Sequence, residues 1–212
     1  VLRDWKDRNK MTKKYEPKKA TDLLGQDLAF YKLREAIKLK RTVLIYGPPG
    51  CGKTSAVQVL GKELNLELFE INTSDARNKE NIEQTIGNSL GQQSLFAKGK
   101  LILIDDIDAL SGTKDRGGLP TIQALIENTK YPIAITCINP WEDKYSKLRK
   151  QCMLIEFQAL NKEIIFKYLK AIAEEESIIC QDKELLDVIK LSKGDLRAAL
   201  TDLQTYSITK IF

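Results

Sequence analysis

One stretch constrains this chain more than any other: Thr42-Val43-Leu44-Ile45-Tyr46-Gly47-Pro48-Pro49-Gly50-Cys51-Gly52-Lys53-Thr54-Ser55. It opens as a short apolar, β-branched run, the pattern of a buried strand. It breaks into Gly-Pro-Pro-Gly-Cys-Gly and resumes with helix formers. From Gly47 to Thr54 the spacing is G-x-x-x-x-G-K-T, that of a phosphate-binding loop. The chemistry explains the residue types. Gly47, Gly50 and Gly52 let the backbone of Gly47, Pro48, Pro49, Gly50, Cys51 and Gly52 curl so that N–H groups face phosphate oxygens. The helix that opens at Lys53, Thr54 and Ser55 adds its positive N-terminus. Lys53 reaches the β- and γ-phosphates, and the Thr54 hydroxyl is a ligand for magnesium. An ordinary Gly/Pro turn is the competing account, but it gives no reason for Lys-Thr at that distance.

Composition narrows the alternatives. The chain has 212 residues, 42% apolar and 30% charged, enough for one large or two small domains. No run is long and apolar enough to span a membrane, and the charged N-terminus does not read as a signal peptide. Cys51, Cys137, Cys152 and Cys180 have no metal-ligand spacing and read as reduced thiols. With no histidine in the sequence, histidine catalysis and histidine-ligated metals are excluded. The net charge of +5 is uneven: residues 1–40 hold 12 Lys/Arg against 6 Asp/Glu, a net of +6. That basic segment suits contact with a phosphate backbone, or equally a solvated lysine-rich arm.

Read in order, residues 1–14 form a polar, basic arm or short helix. Pro17 makes Tyr15-Glu16 extended, and a turn follows over 22–25. Residues 28–38 read as an amphipathic helix with Leu28, Phe30/Tyr31, Leu33 and Ile37 on its apolar face. After the first strand, helices are expected over 53–64, 78–90 and 119–129, and strands over 66–71, 100–105, 132–137 and 153–157. Strands and helices alternating at this spacing give a parallel sheet covered on both faces. Beyond residue 159 only helices are expected, over 163–176, 183–191 and 196–206. The fold class is therefore α/β: a phosphate-loop domain with a five-stranded parallel sheet over 15–159, then a small three-helix lid over 160–212.

The loop alone says only nucleotide. Its partner is Leu101-Ile102-Leu103-Ile104-Asp105-Asp106, an apolar strand ending in acids. Asp105 falls where a carboxylate holds magnesium through water. Asp106 falls where a base would orient the attacking water, or is simply an acidic turn. Asn139 follows the fourth strand, where an amide could orient water or the γ-phosphate; by spacing alone, Asn139-Pro140 is an ordinary turn signal. Arg197 opens the last helix and by itself reads as an exposed helical arginine.

Together these features resemble the AAA+ ATPases, and within them clamp-loader subunits of the replication factor C type, archaeal-like. The resemblance runs from Lys14 to about Thr205. It rests on Lys14-Tyr15-Glu16-Pro17 with Asp22-Leu23-Leu24-Gly25-Gln26, on Glu70-Ile71-Asn72-Thr73-Ser74-Asp75-Ala76-Arg77, and on Gly194-Asp195-Leu196-Arg197-Ala198-Ala199-Leu200. Pro140-Trp141-Glu142 and Leu148-Arg149-Lys150-Gln151-Cys152 look more like the large subunit than the small. The resemblance implies an ATP- and magnesium-dependent ATPase that opens a sliding clamp and loads it onto primer-template DNA during replication. It further implies a hetero-oligomer, a pentamer, with clamp-loader small subunits, cytoplasmic in an archaeon and nuclear in a eukaryote. Tyr15, Pro17 and Leu24 fall on the adenine pocket, Asn139 on the first sensor and Arg197 on the second. Arg77 and Lys79, at a predicted helix start, fall where clamp loaders meet DNA. ATP would sit between the two domains, with an arginine finger supplied by a neighbouring subunit.

Three departures qualify this. The family has Asp-Glu where this chain has Asp105-Asp106, and a carboxylate one methylene shorter reaches less far toward water, so binding with slow hydrolysis is expected. Gln151 stands where small subunits place the finger. The family's helical collar does not follow Phe212, which suggests a fragment, one product of a split gene, or a shortened chain. The competing readings are a non-hydrolysing, ATP-gated scaffold subunit and another AAA+ remodeller in recombination or checkpoint control.

Overall fold

The computed structural model describes residues 10–72, 98–110 and 118–209. The helix expected over 78–90, with Arg77 and Lys79, lies outside the described residues.

Five strands form one sheet: β1 (Val43–Tyr46), β2 (Leu66–Asn72), β3 (Gly99–Asp105), β4 (Ile133–Cys137) and β5 (Met153–Glu156). Their order is β2-β3-β4-β1-β5, and every pairing is parallel. This is the expected α/β sheet, with boundaries within two residues of those read from the sequence. Near-continuous apolar runs make β1, β3 and β4 because both of their faces are covered. On one face Leu44, Ile102, Ile104, Ile133 and Ile135 pack with Ile122 of α4 (Gly118–Asn128) and Leu148 of α5 (Ser146–Gln151). The alternate residues Val43, Ile45, Leu101, Leu103 and Ala134 are buried too. Helices α2 (Asp27–Lys38) and α3 (Lys53–Glu63) also pack against the sheet.

Two details differ from the sequence reading. Helix α2 buries Ala29, Phe30, Leu33, Ala36 and Ile37, while Leu28 and Tyr31 are 66% and 58% exposed. At 3.6 residues per turn those two fall opposite the buried stripe, and two alanines complete it instead. Helix α5 and the 3₁₀ turn Asp143–Tyr145 before it were not expected. They are too short for apolar periodicity to show, and only Tyr145 and Leu148 anchor them in the core.

The chain divides into two compact units. One, Asp27–Gly47 with Lys53–Phe157, contains the sheet. The other joins Gln158–Phe212 to the chain before Asp27 and to Pro48–Gly52 of the phosphate loop, so no single cut in sequence separates them. Its core is formed by α6 (Lys162–Glu175), α7 (Asp182–Ser192) and α8 (Leu196–Thr209), through residues such as Ile165, Leu169, Leu185, Val188 and Leu203. Asn161 caps α6 by accepting the Glu163 N–H at 2.9 Å, and the Glu184 carboxylate accepts the Gln181 N–H at the start of α7. The short helix α1 (Lys10–Lys14) packs on α8: Met11 is buried, and its N–H donates to Gln204 Oε1 at 3.0 Å. Lys14 forms an ion pair with Glu176, so its charge has an intramolecular partner.

Candidate nucleotide site

In the sheet-containing unit, β1 runs straight into Gly47 and α3 starts at Lys53. Gly47 has φ +148°, and a Cβ there would lie 1.9 Å from the Phe157 carbonyl oxygen, so no side chain fits. Lys53 Nζ donates to the Gly47 carbonyl at 2.8 Å, which holds the ammonium at the loop. Thr54 and Ser55 lie in the first turn of α3.

Asp105 ends β3 and is partly buried. Its Oδ1 accepts two hydroxyls, Thr54 Oγ1 at 2.8 Å and Thr136 Oγ1 at 2.6 Å. Lys53, Thr54 and Asp105 are thus brought to one end of the sheet. Thr54 and Asp105 supply hard oxygens, one carboxylate among them, and no cluster of three or more Asp, Glu or Cys side chains stands ready as a metal cage among the described residues. That donor set fits magnesium, which keeps several waters and takes phosphate oxygens as further ligands.

Asp106 is exposed and left-handed, with φ 56° and ψ 60°. Its N–H donates to Thr136 Oγ1 at 2.8 Å. Asp108 Oδ2 accepts the Ile138 N–H at 2.5 Å and so ties the end of β3 to the end of β4. Burial holds the Asp108 carboxyl above its ordinary value, and nearby Asp106 adds to this, against the backbone N–H bonds it accepts. Burial also pushes the Cys137 thiol up to about 12, so it stays protonated at neutral pH. The described residues include all four cysteines and contain no disulfide.

Asn139 is exposed, and its Oδ1 accepts the Trp141 N–H at 3.1 Å. This is an Asx turn closed on Pro140. Arg149 braces the same turn: it donates to the carbonyls of Pro140 and Glu142 and lies 5.7 Å over the Trp141 ring. Tyr46, at the end of β1, meets Trp141 edge-on at 6.1 Å. Gln151 Nε2 donates to Glu127 Oε1 at 3.0 Å.

In the helical unit, Pro48–Gly52 is held by two elements. Gln26, 4% exposed, donates to the carbonyls of Cys51 and Gln158. Asp195 caps α8 by accepting the Ala198 N–H at 2.9 Å, and the Leu196 N–H donates to the Gly50 carbonyl at 3.3 Å. Gly50 has φ +64°, and a Cβ there would be 1.7 Å from Asp195 Oδ1. Arg197 is exposed in the first turn of α8. Tyr15 and Leu24 pack against the helical core, and Pro17 is half-buried. The Tyr15 hydroxyl donates to Glu176 at 2.8 Å; burial first, then that bond, push the phenol up to about 12.

The sequence reading gave no role to Thr136, Asp108, Gln26 or Asp195. Thr136 had a visible signal, a lone hydroxyl inside Ile133-Ala134-Ile135-Thr136-Cys137. The others depend on which segments meet in space. A cavity of about 660 Å³, lined by Leu66, Gly99 and Pro132 among others, lies at the far end of the sheet from Lys53.

The model of the ATPase family associated with various cellular activities, AAA, matches residues 43–155, more than half of the chain. The chain therefore belongs to the AAA ATPase family. Within it, the chain is 40% identical over 198 residues to a replication factor C large subunit of Staphylothermus marinus, covering 90% of this chain and 47% of that protein. It is also 40% identical to that of Nanoarchaeum equitans, covering 91% of this chain and 46% of the relative. The chain thus spans about half the length of the curated relatives it matches. A Thermotoga maritima RuvB point mutant superposes with TM-score 0.70 at 19% identity, over 93% of this chain and 68% of that one, a likeness of fold.

Proposed function

We propose that the chain binds ATP with magnesium as part of the large subunit of a clamp loader, which opens a sliding clamp and loads it onto primed DNA during replication. Its partners are clamp-loader small subunits, assembled with it as a hetero-pentamer, the clamp, and primer-template DNA. The cytoplasm of an archaeal cell is the setting that the relatives suggest. The observation that carries the nucleotide reading is the hydroxyl–carboxylate pair of Thr54 and Asp105 beside Lys53. The similarity to replication factor C large subunits supports the clamp-loader role.

In this reading Lys53 meets the β- and γ-phosphates, and Thr54 and Asp105 hold magnesium, which supplies charge neutralisation at the phosphates. Tyr15, Pro17 and Leu24 contact the adenine. Asn139 and Arg197 sense the γ-phosphate, Asp106 orients the attacking water, and Arg77 and Lys79 meet the DNA backbone. Titration calorimetry with a non-hydrolysed ATP analogue tests the first part, and co-purification with an archaeal small subunit and clamp tests the second. Magnesium-independent affinity, or no association with the small subunit, would sink the respective part.

A second reading, an ATP-gated scaffold that hydrolyses poorly, draws on Asp106: it is short and exposed, and among the described bonds it is held through its backbone, whose N–H donates to Thr136 and whose carbonyl accepts the Ala109 N–H. Single-turnover hydrolysis in the assembled complex separates the two.

A further inference from the structure

We propose that Thr136 is a positioning residue for the magnesium-binding carboxylate of Asp105, and that its one hydroxyl couples Asp105 to Asp106. This rests on the reading that Thr54 and Asp105 hold magnesium. Thr136 is the one hydroxyl in a wholly buried strand, and it is 1% exposed. A buried hydroxyl must find partners, and here the partners are both acids of the strand end opposite. A threonine hydroxyl has a single proton. Oγ1 accepts the Asp106 N–H at 2.8 Å, so its proton goes to Asp105 Oδ1 at 2.6 Å. The result is a chain from the Asp106 N–H, through Thr136, to the carboxylate.

Two consequences follow for metal binding. Asp105 Oδ1 receives donors from two different elements, α3 and β4, so the carboxylate has one orientation instead of several. Among the described residues Oδ2 accepts no hydrogen bond, which leaves that oxygen's lone pairs for a metal-bound water. Hydrogen-bond partners that orient a metal-binding carboxylate typically change metal affinity about 10- to 100-fold when removed.

The test is a magnesium titration of the full chain with a fluorescent, non-hydrolysed ATP analogue, compared with affinity in EDTA. Thr136→Val keeps the shape and removes the hydroxyl. The magnesium concentration giving half-maximal tightening should rise about 10-fold, with affinity in EDTA unchanged, and Thr136→Ser should restore the wild-type midpoint. Asp105→Asn is the control for the underlying reading. If Asp105→Asn shifts the midpoint and Thr136→Val does not, Thr136 has no positioning role although the magnesium reading stands. If neither shifts it, the magnesium reading fails and takes this proposal with it. Equal weakening with and without magnesium would also overturn the proposal, because a general packing defect acts on both. Should Thr136→Val not fold, Thr136→Ala against Thr136→Ser makes the same comparison, judged by the same midpoint.

Discussion

The two sides of the candidate nucleotide site are built on different principles. At the end of β3, Asp105 is fixed by side chain to side chain bonds: Thr54 from α3 and Thr136 from β4 meet on one oxygen. Just beyond β3 and β4, Asp106 is exposed, and Asn139 closes its own turn onto Trp141. The first arrangement is rigid because its partners lie in regular, buried elements. The second rests on local turn bonds, which a ligand or a neighbouring chain can rearrange at little cost. Nucleotide binding and nucleotide hydrolysis should therefore respond to different substitutions.

The strongest way to break this contrast is Lys53→Ala. Loss of the charge that meets the phosphates should weaken a non-hydrolysed ATP analogue about 100-fold, the scale of a charged hydrogen bond. Titration calorimetry reads it directly, and unchanged affinity would remove the phosphate-loop assignment. Next come the exchanges at Asp106, measured as turnover in the complex with a small subunit. Asp106→Asn should lower turnover by about 100-fold, the low end of what a positioned base contributes, and Asp106→Glu should raise it. Neither should alter analogue affinity. An Asp106→Asn complex that turns over at the wild-type rate would favour the scaffold reading.

Arg149→Ala probes the turn alone. It removes donors to the Pro140 and Glu142 carbonyls and the stacking on Trp141. Because water can replace the donors at a half-exposed site, the expected loss of stability is about 1 kcal/mol. Urea unfolding measures it, and magnesium-dependent affinity should stay as it was; a shift there would mean the two sides are not separate. The smallest effect concerns Asp108. Its folded-state carboxyl binds its proton more tightly than in the unfolded chain, so the folded state holds more protons just above the ordinary value of 3.8. The carboxyl's contribution therefore falls as pH rises through that window. Asp108→Asn should flatten this part of the stability profile, and profiles that superimpose would show that the burial of this group has no energetic consequence.

Much of the fold was legible because β1, β3 and β4 are compact apolar runs and each long helix carries a 3.6-residue stripe. The loop motif and the acid-ended strand could be read because each lies in consecutive residues. The bonds of Thr136 to Asp105 and Asp106 were missed because they depend on β4 lying beside β3, a neighbour relation that no local pattern encodes. The contact of Asp195 with Gly50 was missed for the same reason: it joins residues far apart in sequence. Leu28 was misplaced because a hydrophobic residue at the start of a helix looks like part of the stripe until the rotation is counted. Arg77 and Lys79 lie outside the described residues, so their proposed DNA contact rests on the resemblance.

The position of β1 has a consequence for how the chain matures. Val43 pairs with Ala134 on one side and with Met153 on the other. Both partners are synthesised long after β1 itself. The strand β1 is thus made first among the strands yet gains neither hydrogen-bonded edge until β4 and β5 have been made. Pairings so distant in sequence close slowly, and an apolar strand with two open edges invites association meanwhile. On the ribosome, a nascent chain halted before Ile133 has β1 without either neighbour. Nucleotide capture should therefore begin only once the segment through Glu156 has emerged, and the interval before that is when the growing chain most needs protection.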